Sequence, residues 1–250
     1  MSLLGSLRSS ANALLSPFGF QLVRSSSNEP KPSRWNTHDA LSRLATLGIQ
    51  PRTLIDVGAA SGEWFETARD VFPSIRGLLV EPLSERIPLL EHQAKICPGT
   101  VIAEGVAGDK EGKVRFNVTE DLDGSGIYGS DGGGIERTVD QFTIDSLVKK
   151  HSMPGSYLLK LDTHGYEIPI IEGANTTLDQ TDLIVVEAYG FKPSPTAVPF
   201  WELCTWLGSK GFRCADLSGL MGRQRDGLFW QADFYFLRDD HPAFASNSYR

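Results

Sequence analysis

Apolar residues in this chain fall into short runs that alternate with stretches of helical spacing. Ala40, Leu41, Leu44 and Leu47 recur at i, i+3, i+4, which predicts a helix with Thr37 as its N-cap and Gly48 as its stop. Thr53 to Val57 is an unbroken apolar run ending at Gly58, as expected for a parallel strand buried on both faces. Trp64, Phe65, Ala68 and Val71 then predict a helix that stops before Pro73. Gly77 to Val80 is a second strand, closed by Glu81 and Pro82. Ser84 to Lys95 has helical spacing, and Thr100 to Ala103 is a third strand.

The second half repeats this rhythm after an interruption. Val114, Phe116 and Val118 alternate with Arg115 and Asn117, so that strand has one exposed face. Six glycines lie between Asp121 and Gly134, a composition that predicts a mobile loop without regular structure. Thr138 to Phe142 returns as a strand and Ile144 to Lys150 as a short helix. Tyr157 to Leu161, ending at Asp162, and Asp182 to Val186, ending at Glu187, are further buried strands, with a helical stretch to Gly173 between them. A helix over Pro199 to Ser209 and strands at Phe212 to Asp216 and Asp233 to Leu237 complete the pattern. Strands and helices alternating in this way predict an α/β fold, a mostly parallel sheet with helices on both faces. Such a sheet binds its ligand at the carboxyl ends of the strands, where strand order reverses.

Residues 1–35 differ from the rest. They are rich in serine, lack acids before Glu29 and end in Glu29-Pro30-Lys31-Pro32-Ser33, which reads as a linker. We read them as an N-terminal extension, either an accessory helix or an organelle transit peptide, ahead of a domain at 36–250.

The 250 residues, 40% of them hydrophobic, suffice for one sizeable core. A net charge of −7 disfavours a protein that grips phosphate backbones, so no nucleic-acid partner is expected. No run approaches the length of a membrane span. Cys97, Cys204 and Cys214 form no Cys-x-x-Cys pair and no even set for disulfides, which suits a reducing, cytoplasmic location. Oligomeric state is not legible.

The candidate chemistry begins at Asp56-Val57-Gly58-Ala59-Ala60-Ser61-Gly62. Gly58 lets the backbone turn sharply against a ligand, and Gly62 opens the next helix. The spacing lacks the Gly-x-Gly-x-x-Gly pattern that points a helix at a pyrophosphate. An adenosine ligand without phosphate fits better. Glu81, ending the second strand, is placed to accept hydrogen bonds from ribose hydroxyls. S-adenosylmethionine, with free ribose hydroxyls and a cationic sulfonium, meets these constraints; Asp56 is expected to attract the ammonium of its amino-acid tail, directly or through water. The expected cofactor contacts are Asp56, Gly58, Ala59, Gly62, Glu81 and Val106.

The segments Ile55 to Trp64, Leu78 to Pro82, Thr143 to Leu147 and above all Leu158 to Ala174 (LLKLDTHGYEIPIIEGA) resemble the FkbM family of S-adenosylmethionine-dependent methyltransferases. The resemblance covers roughly residues 37 to 238. It implies the class I methyltransferase fold, Rossmann-like, with seven strands of which the last is antiparallel. It also implies O-methylation of a small molecule, sugar or glycan. Many members carry an acid where this chain has His164.

Methyl transfer to an alcohol requires alignment of the reacting atoms and an acceptor for the hydroxyl proton. Asp162 should lie beside the Asp56 strand across the switch point, with His164 over the same edge. A histidine titrates near neutral pH, so His164 is the expected proton acceptor and Asp162 the residue that orients it or the acceptor; a loop histidine holding a backbone carbonyl is the structural alternative. Asp162, His164 and Glu187 form a weaker alternative, a divalent-cation site; no metal is expected. Asp145, Glu187 and Tyr189 are expected to support the site or line the acceptor pocket, as Tyr166 and Trp201 do less strongly; Asp145 reads equally as a helix N-terminal acid. Two other functions stay open, a catalytically inactive S-adenosylmethionine-binding module and a protein or RNA methyltransferase. His38, His92, His151 and His241 read as surface residues.

Overall fold

The computed structural model describes residues 35–127 and 134–249. The expectations for the extension before residue 35, and for the centre of the glycine-rich loop, lie outside the described residues.

The chain enters through helix α1 (Thr37–Thr46), strand β1 (Thr53–Val57), helix α2 (Glu63–Val71), strand β2 (Arg76–Glu81), helix α3 (Ile87–Ile96) and strand β3 (Val101–Glu104). Three strands follow, β4 (Val106–Ala107), β5 (Gly112–Val118) and β6 (Ile135–Phe142). Then come α4 (Ile144–His151), β7 (Tyr157–Leu161), α5 (Glu167–Glu172), α6 (Asn175–Leu178) and β8 (Thr181–Tyr189). Helix α7 (Phe200–Ser209) precedes β9 (Phe212–Gly222) and β10 (Phe229–Arg238).

Seven strands form one sheet in the order β3-β2-β1-β7-β8-β10-β9. The pairs from β3 to β8 are parallel, and β10 runs antiparallel to both of its neighbours. Strand order reverses between β1 and β7, which is the switch point. The order, the single antiparallel last strand and the flanking helices define the class I methyltransferase fold.

Period-two alternation within buried strands feeds two cores. Leu54, Leu79, Leu158, Val185 and Tyr235 pack with α1, α2 and α3 on one face. Ile55, Val80, Leu159, Val186 and Phe234 pack with α4, α5 and α7 on the other. This is why the strand sequences read as continuous apolar runs.

β4, β6 and β5 form a separate three-stranded sheet. Phe116 and Val118 of β5 join Leu83 and Val106 in a small third cluster, with Leu122 and Ile127 packed against it. This cluster roofs the carboxyl ends of β1 and β2.

Several boundaries moved. Asn36, not Thr37, caps α1, its side chain accepting from the Asp39 N–H at 2.8 Å. α3 begins at Ile87, three residues later than the spacing suggested, because Pro88 is tolerated only in a helix's first turn. β6, β9 and β10 each extend beyond their apolar cores, since pairing with a neighbouring strand carries polar residues into the ladder. The described start of the glycine-rich segment is not free: Asn117 and Gly126 exchange backbone hydrogen bonds, and Leu122 turns with φ of 64°. Among the described residues, no helix is long and apolar enough to cross a membrane.

Candidate active site

The carboxyl ends of β1, β2, β7 and β8 open into a cleft of about 330 Å³, within the usual range for small-ligand sites. The chain builds its two sides differently.

On the β1–β2 side the backbone does the shaping. Gly58 turns at φ 78°, and its N–H donates to the Val80 carbonyl at 3.0 Å. A Cβ on Gly58 would run into the backbone carbonyl of Asp162, so this close approach of β1 to β7 requires glycine. Ala60, also left-handed at φ 48°, donates its N–H to Glu81 Oε2 at 2.8 Å. Glu81 Oε1 accepts from the Leu83 N–H at 3.0 Å. Glu81 is thus fixed at the cleft wall by two backbone bonds, each leaving lone pairs for a further donor. Burial raises its carboxyl, against the two N–H donors and Arg86, which lower it.

On the β7–β8–β10 side, charged side chains converge because of register. Asp56 is the Cα partner of Lys160, and Glu187 that of Asp233. Side chains in neighbouring registers on one face of the sheet meet. Lys160, almost fully buried, places Nζ 3.3 Å from each of Asp56 Oδ1, Asp162 Oδ2 and the Gly58 carbonyl. Burial disfavours the ammonium, but Asp162, Asp56 and Asp233 outweigh it and raise the lysine. Burial likewise pushes Asp162 up, and Lys160 and His164 overcome it, holding the carboxyl below its ordinary value. Asp233, behind them, is pushed up to about 7 by burial and by the neighbouring Asp162, against the pull of Lys160.

His164 sits in a left-handed turn, φ 56°, followed by Gly165 at φ 109°. Glu167 holds this turn, accepting from the Gly165 N–H at 2.9 Å and the Thr163 hydroxyl at 3.1 Å. His164 Nε2 lies 2.9 Å from the Asp123 carbonyl, and Nδ1 lies 2.7 Å from the Tyr189 hydroxyl. The Tyr189 hydroxyl itself donates to Glu187 Oε1. A carbonyl only accepts, and a hydroxyl whose proton is committed must accept at its oxygen, so both ring nitrogens donate. That arrangement favours the imidazolium form. Desolvation opposes that charge, but Glu187, Asp162 and the Asp123 carbonyl prevail and raise His164 to about 9. The raised value departs from the near-neutral titration expected of this ring. The structural alternative, a histidine holding a backbone carbonyl, is what Nε2 does.

The remaining expected residues divide. Gly58, Glu81, Val106, Asp162, His164 and Glu187 line the cleft. Asp56 does not: it is fully buried behind the cleft, 3.3 Å from Lys160 Nζ. Ala59 and Gly62 stand behind the wall, Ala59 binding the Val80 carbonyl and Gly62 capping α2 against Gln93. Tyr189 is buried behind His164. Tyr166 lines the cleft, while Trp201 is half-exposed on α7 and takes no part. Asp145 lies away from the site, accepting from the Thr176 and Thr177 N–H groups and the Thr177 hydroxyl, which makes it a cap for α6.

Sequence reading missed Ala60, Arg86, Asp123, Lys160 and Gln231. Asp123 reaches over the cleft, its carboxylate paired with Arg86 and its carbonyl with His164. Gln231 donates to Glu187 Oε2. Only Lys160, a lone cation inside an apolar strand, carried a signal that could have been followed.

Asp162, His164 and Glu187 bring ligand-type atoms within 4.8 Å of one another. Lys160, Tyr189, Gln231 and the Asp123 carbonyl already engage those donors. The group reads as a closed network whose cations are Lys160 and His164.

The chain matches the family described as the methyltransferase FkbM domain over residues 56–214, and it belongs to that family. No curated protein matches the sequence. Among solved structures it is similar to the methyltransferase FkbM from Methylobacillus flagellatus KT, at 15% identity and a TM-score of 0.49, over 73% of this chain and 43% of that one. It thus spans less than half the length of that relative. It is also similar to the METTL16 MTase domain, at 12% identity and a TM-score of 0.48, over 93% of this chain and 80% of that one. Cofactor-bound Rv0187 from MTB aligns at 12% identity and a TM-score of 0.47, over 93% and 89%. The domain is an S-adenosylmethionine-dependent methyltransferase domain. Its residues fit that cofactor: a turn that excludes a Cβ, an acid with free lone pairs at the end of β2, and a carboxylate-rich floor suited to a sulfonium.

Proposed function

We propose that this protein methylates a hydroxyl oxygen of a small molecule, sugar or glycan. Gly58 and Val106 form the cofactor wall, and Glu81 receives the ribose hydroxyls. The bound cofactor supplies an activated methyl group on a cationic sulfur. Asp162 would hold the acceptor hydroxyl and take its proton as that oxygen is methylated. A weakly basic carboxylate suffices, because the hydroxyl becomes acidic as the new bond forms. His164 assists as a fixed cation rather than as a base, and Glu187 and Tyr189 hold it there. The cleft is small and walled, which suits positioning as the main source of rate.

The observation that carries this reading is the Asp162 carboxylate, ionised and facing the cleft at the switch point between β1 and β7. An inactive binding module would have no use for that arrangement. The net charge of −7 favours a non-nucleic-acid acceptor, and the free thiols suit a cytoplasmic location. We read residues 1–35 as an extension of the domain at 36–250.

The test is incubation with methyl-labelled cofactor and whole-cell extract, separated into lipid, glycan, small-molecule, protein and nucleic-acid fractions. Label in small molecules or glycans, stable to mild alkali as an ether is, supports the reading. Label confined to protein or nucleic acid overturns it, and cofactor binding without transfer to any fraction favours the inactive module.

A further inference from the structure

Lys160 is the one cation in the sheet's interior among the described residues of β1, β7 and β8, and neither the cofactor wall nor the acceptor side uses it directly. Its three contacts are unusual in what they join. Asp56 belongs to β1, the Gly58 carbonyl to the cofactor turn, and Asp162 to the acceptor side, all 3.3 Å from one nitrogen. One anion would neutralise a buried lysine; here its three N–H donors are divided between two carboxylates and a carbonyl from both sides of the switch point. A buried carboxylate left without a cation, in turn, takes up a proton.

We propose that Lys160 is a positioning residue for the transfer: its ammonium ties Asp162 to the Gly58 turn and keeps that carboxylate ionised and aimed into the cleft. This rests on the reading of Asp162 as the proton acceptor. Four titratable groups face the Lys160–Asp162 pair: Asp56 from β1, Glu187 from β8, Asp233 from β10 and His164 from the loop after β7. Asp56 is the counterweight, since it divides the ammonium with Asp162. Replacing Asp56 and Lys160 together removes one buried charge of each sign and leaves Asp162 without its nearer cation, with His164 Nδ1 3.9 Å away.

The experiment follows the Asp162 carboxyl carbon by NMR in full-length protein labelled with 13C-aspartate, in the presence of a chelator, the signal being assigned by its loss in Asp162→Asn. In the wild type, in Asp56→Asn and in Lys160→Arg the signal should show only the small shifts of neighbouring groups, and no full carboxyl titration step, between about pH 5 and pH 9. In Asp56→Asn/Lys160→Met it should show a full titration step within that range. A signal that stays still in the double variant overturns the proposal, because a lysine with a purely structural role would lower stability without exposing Asp162 to protonation. A second measurement holds even if the double variant does not fold. The Lys160 15Nζ signal, assigned by Lys160→Arg, should move on Asp162→Asn; an unmoved signal also overturns the proposal. Neither spectrum involves methyl transfer, so a failure here leaves the reaction class untouched, and an absence of transfer in extract leaves the Lys160 contact untouched.

Discussion

The β1–β2 side of the cleft and the β7–β8–β10 side bind with different means. On the first, Gly58, Ala60 and Leu83 act through main-chain torsions and N–H groups, and Glu81 is the one acid that reaches the wall. On the second, the backbone only delivers side chains, and Lys160, Asp162, His164, Tyr189, Glu187 and Gln231 hold one another. A surface made of backbone is rigid and insensitive to pH. A network of charges shifts with protonation and with single substitutions. The difference suits a cofactor whose shape is constant and an acceptor site that has to manage a proton.

The largest effect should come from the rigid side. Gly58→Ala combines a left-handed torsion with a collision against the Asp162 carbonyl, and should cost about 3 kcal/mol or more of stability. Denaturant unfolding checks this, and a variant as stable as the wild type would show that β1 and β7 are not so tightly apposed. Next, Glu81→Ala should weaken S-adenosylmethionine binding by about 1.5–3 kcal/mol for a lost charge-assisted hydrogen bond, roughly 10- to 100-fold in calorimetry. An unchanged dissociation constant would remove Glu81 from the ribose.

Asp145→Ala serves as a control outside both regions. It should destabilise by about 1 kcal/mol as a lost helix cap while leaving cofactor affinity alone. Weakened cofactor binding would return Asp145 to the site.

The remaining effect belongs to the charged side and is a slope rather than a step. In the folded protein the His164 ring is raised from 6.5 to about 9. Its contribution to stability is therefore complete below about pH 6.5 and is lost as pH rises through about 9. The stability advantage of the wild type over His164→Gln should shrink across that window. An advantage constant with pH would mean that the ring is not an imidazolium, and would reopen its role as a base.

Much of this was legible before any coordinates. Continuous apolar runs at Thr53 to Val57 and Tyr157 to Leu161 announced strands buried on both faces, because only such strands dispense with a polar face. Gly58 and Glu81 announced the β1–β2 wall of the cleft, because a turn and a strand end are local events written in neighbouring residues. The block from Asp162 to Glu167 announced a special loop, and Glu167 proved to be the group that holds it. Local propensity could not, however, separate a cap from a site residue at Asp145, since the same acid serves either use.

What the sequence by itself determined is the set of elements, their α/β alternation, the family and the residues at the strand ends, all consequences of period and local turn chemistry. Only the tertiary structure decided which charges meet. Register set Asp56 opposite Lys160 and Glu187 opposite Asp233, and a strap from the inserted sheet set the Asp123 carbonyl against His164. Those contacts join residues between 41 and 104 positions apart in the chain, and their energies depend on burial that no local segment possesses. The protonation of His164 and the ionisation of Asp162 are for that reason properties of the assembled site.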